Sequence, residues 1–200
     1  SGMINPKMGT MLVYIFIEAK LDTKQLKNLI KLHLDSTFNS ISVDSDTSTS
    51  DTLILFSLKQ KEINLKNKKN FTILSSALFK LMQDLSMKVI KDGEGLSKLI
   101  KVNVNEAKTK NQAKNIAFSI VNSPLVKTAI AGEDANWGRI IMAIGKSQEN
   151  IIQNNIKLSF GKNNVAFNGA VNENIQLSKL NRYMKNNIIE INVWLKNGKH

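Results

Sequence analysis

The chain has 200 residues and no cysteine. That excludes a disulfide framework, a thiol nucleophile and a zinc–thiolate site, and it fits a cytoplasmic setting. Histidine is almost missing too, with only His33 and His200. His33 falls between Leu32 and Leu34 in an expected helix, and His200 is the last residue; neither has a carboxylate at useful spacing. A Ser-His-Asp triad or a histidine-built metal site is therefore not expected, and a hydrolase or transferase built on this chain must find its base elsewhere. Long apolar runs are absent as well. The longest, Met11–Ile17, falls well short of the ~20 residues a membrane span needs, and no signal peptide precedes it. No membrane partner is expected.

Arginine is the third scarcity. Net charge is +12, but of 28 basic residues only Arg139 and Arg182 are arginine. Nucleic-acid grooves lean on arginine with interleaved aromatics, whereas lysine mixed with abundant asparagine describes a solvated surface. The densest basic stretch, Lys59–Lys69, lies between two apolar segments and is expected to be an exposed loop. No nucleic-acid partner is expected.

Gly9-Thr10 stands directly before the apolar run. On local pattern alone, Thr10 is an ordinary residue at a strand start. A small residue before threonine is also what a self-cleavage junction requires. Once freed, the α-amine of Thr10 could take the proton of its own hydroxyl, since its reference pKa of roughly 7.7–8.0 suits a base near neutral pH.

Met11–Ile17 is predicted to be a strand buried on both faces. Asp22 starts a helix, with Gln25 at capping-box spacing and Leu21 and Leu26 at staple positions. The Ser42–Asp51 segment is polar, and Thr52–Leu58 is a second strand. Asn70 is expected to cap a long helix bearing Phe71, Leu74, Leu78, Leu81, Leu85 and Val89, ended by Asp92-Gly93 with the glycine left-handed. Past Gly95, Ile100, Val102 and Val104 alternate with polar residues as a strand. A helix over Glu106–Val121 is closed by Ser123-Pro124, and Leu125–Ile130 is expected to be a short strand. A helix through Trp137–Ile144, strands near Ile156–Phe160 and Val165–Phe167, a helix around Tyr183 and a last strand at Ile188–Leu195 follow. Mixed elements of this kind fit an α+β or layered architecture. Asp44, Asp46 and Asp51 are assigned to turn and cap hydrogen bonds rather than to a metal. Trp137 is assigned to the core, with Gly138 allowing a close helix approach.

Five blocks, in order, resemble the ornithine acetyltransferase (bifunctional glutamate N-acetyltransferase) family of arginine biosynthesis. They are the stretch from Ser1 to Leu12 around Gly9-Thr10, the run Thr37-Phe38-Asn39 through Asp51-Thr52, Asp92-Gly93-Glu94-Gly95 with Lys98-Leu99-Ile100, Asn122–Ala129, and Gly132–Ile140. Family members are made as one precursor that cuts itself into an α and a β chain. This sequence resembles the last nine α-chain residues followed by most of the β chain, short of its far end. The resemblance implies an α+β fold, a layered α/β sandwich of the self-processing type with a smaller C-terminal α/β domain. Residues 1–9 would end the α segment, 10–95 would form the nucleophile-bearing part of the catalytic domain, and 96–200 would form the C-terminal domain. Three positions depart from the pattern: Gly9 stands for the more usual alanine, and Ser45 and Ser50 replace glycine and asparagine. The glycine change matters because serine tolerates a positive φ poorly.

The resemblance further implies that Thr10 attacks Gly9 in the precursor and, once free, accepts the acetyl group of N-acetylornithine and passes it to glutamate. Glu94 carries over as a substrate-binding residue that can pair with an amino-acid ammonium; without the match it reads as an exposed acid in a turn. The oxyanion donors lie in the α chain, so this chain alone is expected to be inactive. No cofactor or metal is expected, with acetyl-CoA as a possible co-substrate. The expected partner is the α chain of the same precursor, in a hetero-oligomer. The competing readings are an aminopeptidase or amidase with an autogenerated N-terminal threonine, and a basic nucleic-acid-binding module.

Overall fold

A computed structural model describes residues 11–46, 48–93 and 95–200. The chain divides into two compact units, Ser1–Gly95 and Leu96–His200. Together they give a mixed α and β fold, each unit a sheet with helices packed on it.

In the first unit β1 (Leu12–Ala19) and β2 (Thr52–Lys61) pair in parallel, Leu12 opposite Thr52 and Phe16 opposite Phe56. Parallel neighbours need a crossover, here supplied by helix α1 (Thr23–Leu34). Its start is the expected capping box: Asp22 Oδ1 accepts the Gln25 N–H at 2.8 Å, and Gln25 Oε1 accepts the Asp22 N–H at 2.9 Å. Near its end β2 carries extra residues opposite the Ile17–Ala19 step, and Lys59 sits there at φ 56°.

Helix α2 (Lys68–Lys91) starts earlier than Asn70. Asn67 is the cap, its Oδ1 accepting the Lys69 N–H at 2.9 Å and the Asn70 N–H at 3.4 Å, while the Asn70 side chain donates back to the Asn64 carbonyl. The inward face is correspondingly different. Ser75, Leu78, Met82 and Ser86 are buried, but Phe71 and Leu81 are exposed. The lysine loop is also shorter than expected, since Lys59 and Lys61 belong to β2 and Lys68 and Lys69 to α2. The left-handed residue after α2 is Gly95, at φ 71°, rather than Gly93.

The two helices cover one face of the strand pair, where Val13, Ile15 and Leu55 join Leu29, Leu78 and Met82 in the core. Burial on both faces, expected for the apolar run, does not hold. Leu12, Tyr14 and Phe16 point the other way and are exposed, Phe16 by 60%. A strand with period-two burial needs a second layer to bury its other face, and among the described residues none covers it.

The second unit has a five-stranded sheet in the order β3-β7-β4-β5-β6. These strands are β3 (Leu99–Asn105), β4 (Lys157–Phe160), β5 (Asn163–Phe167), β6 (Ala170–Val171) and β7 (Ile188–Trp194). The β3–β7 pair is parallel and the others are antiparallel. One sheet face presents Ile189, Ile191, Val193, Leu158 and Phe160 to helices α3 (Lys110–Val121), α4 (Pro124–Ala131) and α5 (Trp137–Lys146), which bring Ile116, Ile120, Ile130, Ile140 and Ile144. The opposite face is a ladder of polar pairs: Lys101 with Glu190, then Asn103 Nδ2 donating to Asn192 Oδ1 at 2.8 Å. Helix α6 (Leu177–Met184) lays Tyr183 over Gly161, whose φ of 54° and lack of a Cβ admit the ring; an added Cβ would lie 2.7 Å from Tyr183 Cε2.

Three expectations fail in this unit. Leu125–Ile130 is not a strand but most of α4, because Ser123 caps a new helix and Pro124 occupies its first turn, where its missing N–H is not needed. Val126, Ala129 and Ile130 then fall on one buried helical face. Helix α3 begins at Lys110 under a Thr109 cap, not at Glu106, which sits at φ 57°. Trp137 packs against the core as expected, but Gly138 marks no close approach: a Cβ there would meet only Asn136 Oδ1, at 3.5 Å.

Candidate functional site

Gly9, Thr10 and Glu94, the residues singled out by the sequence, lie outside the described residues. Met11, which follows Thr10, and Gly93 and Gly95, which flank Glu94, do not. Met11, the residue after Thr10, is held at both of its backbone polar groups. Its N–H donates to Asp51 Oδ1 at 2.9 Å, and its carbonyl accepts the Thr52 N–H at 2.8 Å. The first contact is a charge-assisted hydrogen bond between residues 40 apart in sequence. It exists because β1 and β2 run parallel with Leu12 opposite Thr52, which sets the residue before β2 beside the residue before β1.

Asp51 therefore departs from the local turn role assigned to it, whereas its neighbours keep that role. Asp44 Oδ1 accepts the Asp46 N–H at 3.0 Å, Ser48 Oγ accepts the Ser50 N–H at 3.2 Å, and Thr52 Oγ1 donates to the Ser50 carbonyl at 3.2 Å. Asp44 Oδ2 is buried without a hydrogen-bond partner among the described residues. Ser45, the position with glycine in the resembled segment, has φ 79°.

This turn lies against the Glu94 flank. Val43 Cγ1 would stand 3.8 Å from a Cβ placed on Gly93, and the same Cβ would come within 3.1 Å of the Ile90 carbonyl oxygen. Gly93 thus closes α2 tightly, its N–H donating to that carbonyl, while Gly95 turns the chain away in open space.

The imidazole of His33 is not at the strand start. Its Nε2 shares a 2.8 Å hydrogen bond with Ser75 Oγ between α1 and α2. Burial pushes its pKa below the ordinary value, with the Ser75 contact acting in the opposite direction.

Other motif residues are fasteners of the second unit. The Lys98 side chain, 8% exposed, donates to Glu133 Oε1 at 3.0 Å and to the carbonyls of Met184 and Asn186 at 2.8 and 3.1 Å. Arg139 Nη1 donates to the Leu125 carbonyl at 2.9 Å and to Thr128 Oγ1 at 3.0 Å, tying α5 to α4. The contact that the sequence did not expose is the one between Asp51 and Met11. Its only signal is that an aspartate directly precedes the second strand.

Comparison with known proteins gives a consistent result. The ArgJ family model matches residues 1–200. An arginine biosynthesis bifunctional protein ArgJ from Bartonella henselae is 43% identical over 196 residues, covering 96% of this chain and 48% of that protein. Its counterpart from Brucella melitensis is 42% identical over 205 residues, covering 100% of this chain and 50% of that protein. The chain thus spans about half the length of the curated relatives it matches. A crystal structure of arginine biosynthesis bifunctional protein ArgJ from Bacillus halodurans superposes with a TM-score of 0.87 at 32% identity, covering 94% of this chain and 90% of that one.

Proposed function

The chain belongs to the ArgJ family, and from that premise we propose that it is the nucleophile-bearing half of a self-cleaving glutamate N-acetyltransferase of arginine biosynthesis. The observation that carries this reading is the match over residues 1–200. The firm hold on the backbone directly after Thr10 is what a fixed nucleophile requires.

The chemistry is as follows. In the precursor, Thr10 Oγ attacks the Gly9 carbonyl, the peptide C–N bond breaks and the acyl group shifts to oxygen. Water hydrolyses the ester, leaving a Gly9 carboxylate and a free Thr10 amine. In the cut enzyme that amine takes the hydroxyl proton as Oγ attacks the acetyl carbonyl of N-acetylornithine. The amide C–N bond breaks, ornithine leaves with the proton, and acetyl-Thr10 remains. The amine of glutamate then attacks the ester, the C–O bond breaks, and N-acetylglutamate leaves with Thr10 restored. Glu94 pairs with the ammonium of the amino-acid substrate. The transfer needs no metal or organic cofactor, and acetyl-CoA is a possible second donor.

The partner is the α half of the same precursor, which supplies the oxyanion donors and packs on the exposed face of β1 and β2. Leu12, Tyr14, Phe16, Ile54, Phe56 and Leu58 form that face, with Phe16 and Phe56 stacked at 4.9 Å between centroids. The proposed place of work is the cytoplasm.

Intact-mass measurement on the whole precursor tests the reading. A break before Thr10 and one acetyl group gained by this chain on incubation with N-acetylornithine are expected, and Thr10→Ala should abolish both. Cleavage that persists in T10A, or a precursor that moves no acetyl from N-acetylornithine to glutamate, overturns it.

A further inference from the structure

We propose that Asp51 is the positioning residue for the Thr10 nucleophile. This inference rests on the reading of Thr10 given above. The amide that Asp51 Oδ1 holds at 2.9 Å is the N–H of Met11, and that amide belongs to the Thr10–Met11 peptide bond. A peptide unit is planar, and its six atoms run from one Cα to the next. Anchoring its N–H therefore constrains the peptide unit through which the nucleophile's residue is joined to β1. The Thr52 N–H bond to the Met11 carbonyl, 2.8 Å, fixes the following plane, so two successive peptide units are clamped.

The anchor is long-range, and that is its advantage. A strand end with a single neighbour frays, because its last polar groups have water as an alternative partner. Here the end of β1 lies opposite the start of β2, where ladder bonding begins with Thr52. The Asp51 carboxylate extends the ladder by one contact beyond the last regular pair, using a side chain in place of a backbone carbonyl. Position matters at this site more than elsewhere, since a displacement of about 1 Å at a nucleophile can lower turnover on the order of 100-fold.

The experiment uses the full precursor, with near-ultraviolet circular dichroism as a check of folding. Asp51→Ala removes the acceptor, Asp51→Asn keeps a neutral acceptor in place, and Asp51→Glu keeps the charge but moves it by one methylene. D51A and D51E are expected to slow cleavage at least ~10-fold. In whatever cut enzyme forms, they should lower kcat by ~10- to 100-fold with KM for N-acetylornithine within about twofold of wild type. D51N should restore both rates to within about threefold. If D51A fails to fold, D51E decides. Cleavage and kcat within twofold of wild type in a folded D51A or D51E overturn the proposal. So does a loss confined to KM, or a D51N as impaired as D51A, which would mean that charge and not acceptor geometry is what counts. Wild type and T10A run alongside: a wild type that neither cuts nor transfers removes the nucleophile reading itself, whereas an active wild type with an equally active D51A removes only the role of Asp51.

Discussion

Ser45 adopts φ 79°, in the region where the Cβ of an L-residue crowds the following carbonyl. That crowding costs roughly 1–2 kcal/mol, a penalty glycine does not incur. The turn nevertheless forms, since Asp44 accepts the Asp46 N–H across it and Val43 packs toward Gly93. The segment it resembles has glycine at this position, so the strain is specific to this chain's serine. Ser45→Gly is expected to raise stability by about 1 kcal/mol, the relief being partly offset by the greater freedom glycine gives the unfolded chain. Urea unfolding of the two proteins measures it, and a midpoint unchanged or lowered in S45G contradicts the strain. Gly93 next door shows the reverse case. A side chain there would press on the Ile90 carbonyl, so the two positions constrain residue choice in opposite ways.

At the scale of elements, the second unit is closed by Lys98. Its ammonium has three donors and meets three acceptors, on Glu133, Met184 and Asn186, so the start of β3 is bound to the loop before α5 and to the end of α6. Lys98→Met keeps the aliphatic stem but orphans all three acceptors. It is expected to destabilise by about 2 kcal/mol, the scale of hydrogen bonds to a charged group; a thermal midpoint equal to wild type would show the clamp to be idle. Elements of this kind differ in how far a sequence reveals them. The Asp22–Gln25 capping box, the α5 helix and the alternation of β3 are local patterns and were legible as such. Helix α4 was not: six residues from Leu125 to Ile130 satisfy strand and helix alike, and the Ser123-Pro124 signal reads equally as the end of one helix and the start of the next. Helix α2 slid by one turn because Asn67 and Asn70 are both competent caps; Asn67 takes the cap, and the Asn70 side chain engages the Asn64 carbonyl instead. Of the proposed site, Gly9-Thr10 and Glu94 stand in short local motifs. The reach of Asp51 to Met11 depends on the register of two strands 40 residues apart, and no local pattern encodes register across such a gap.

At the scale of the whole molecule, the outer face of β1 and β2 is where the proposed α half would pack. Phe16 and Phe56 are stacked there with 60% and 38% of their surface exposed, beside Tyr14 and Leu12. Truncating either aromatic to serine is expected to weaken association with the α half by about 2 kcal/mol, or ~30-fold. Sedimentation of mixed halves would detect this, and undiminished assembly of a Phe16→Ser, Phe56→Ser double variant would place the partner elsewhere. The sheet of the second unit has a different consequence, one of timing. Its first strand, β3, is paired in parallel with its last, β7, and β7 also supplies the pairing edge for β4. On a ribosome, where roughly 5–20 residues emerge each second, β1 and β2 are both available before β3 has been made. β3 then waits without a sheet neighbour while some eighty residues follow it. The polar series Lys101, Asn103 and Asn105 on one of its faces makes that wait safer, because a lone strand with a polar face is a poor template for another nascent chain.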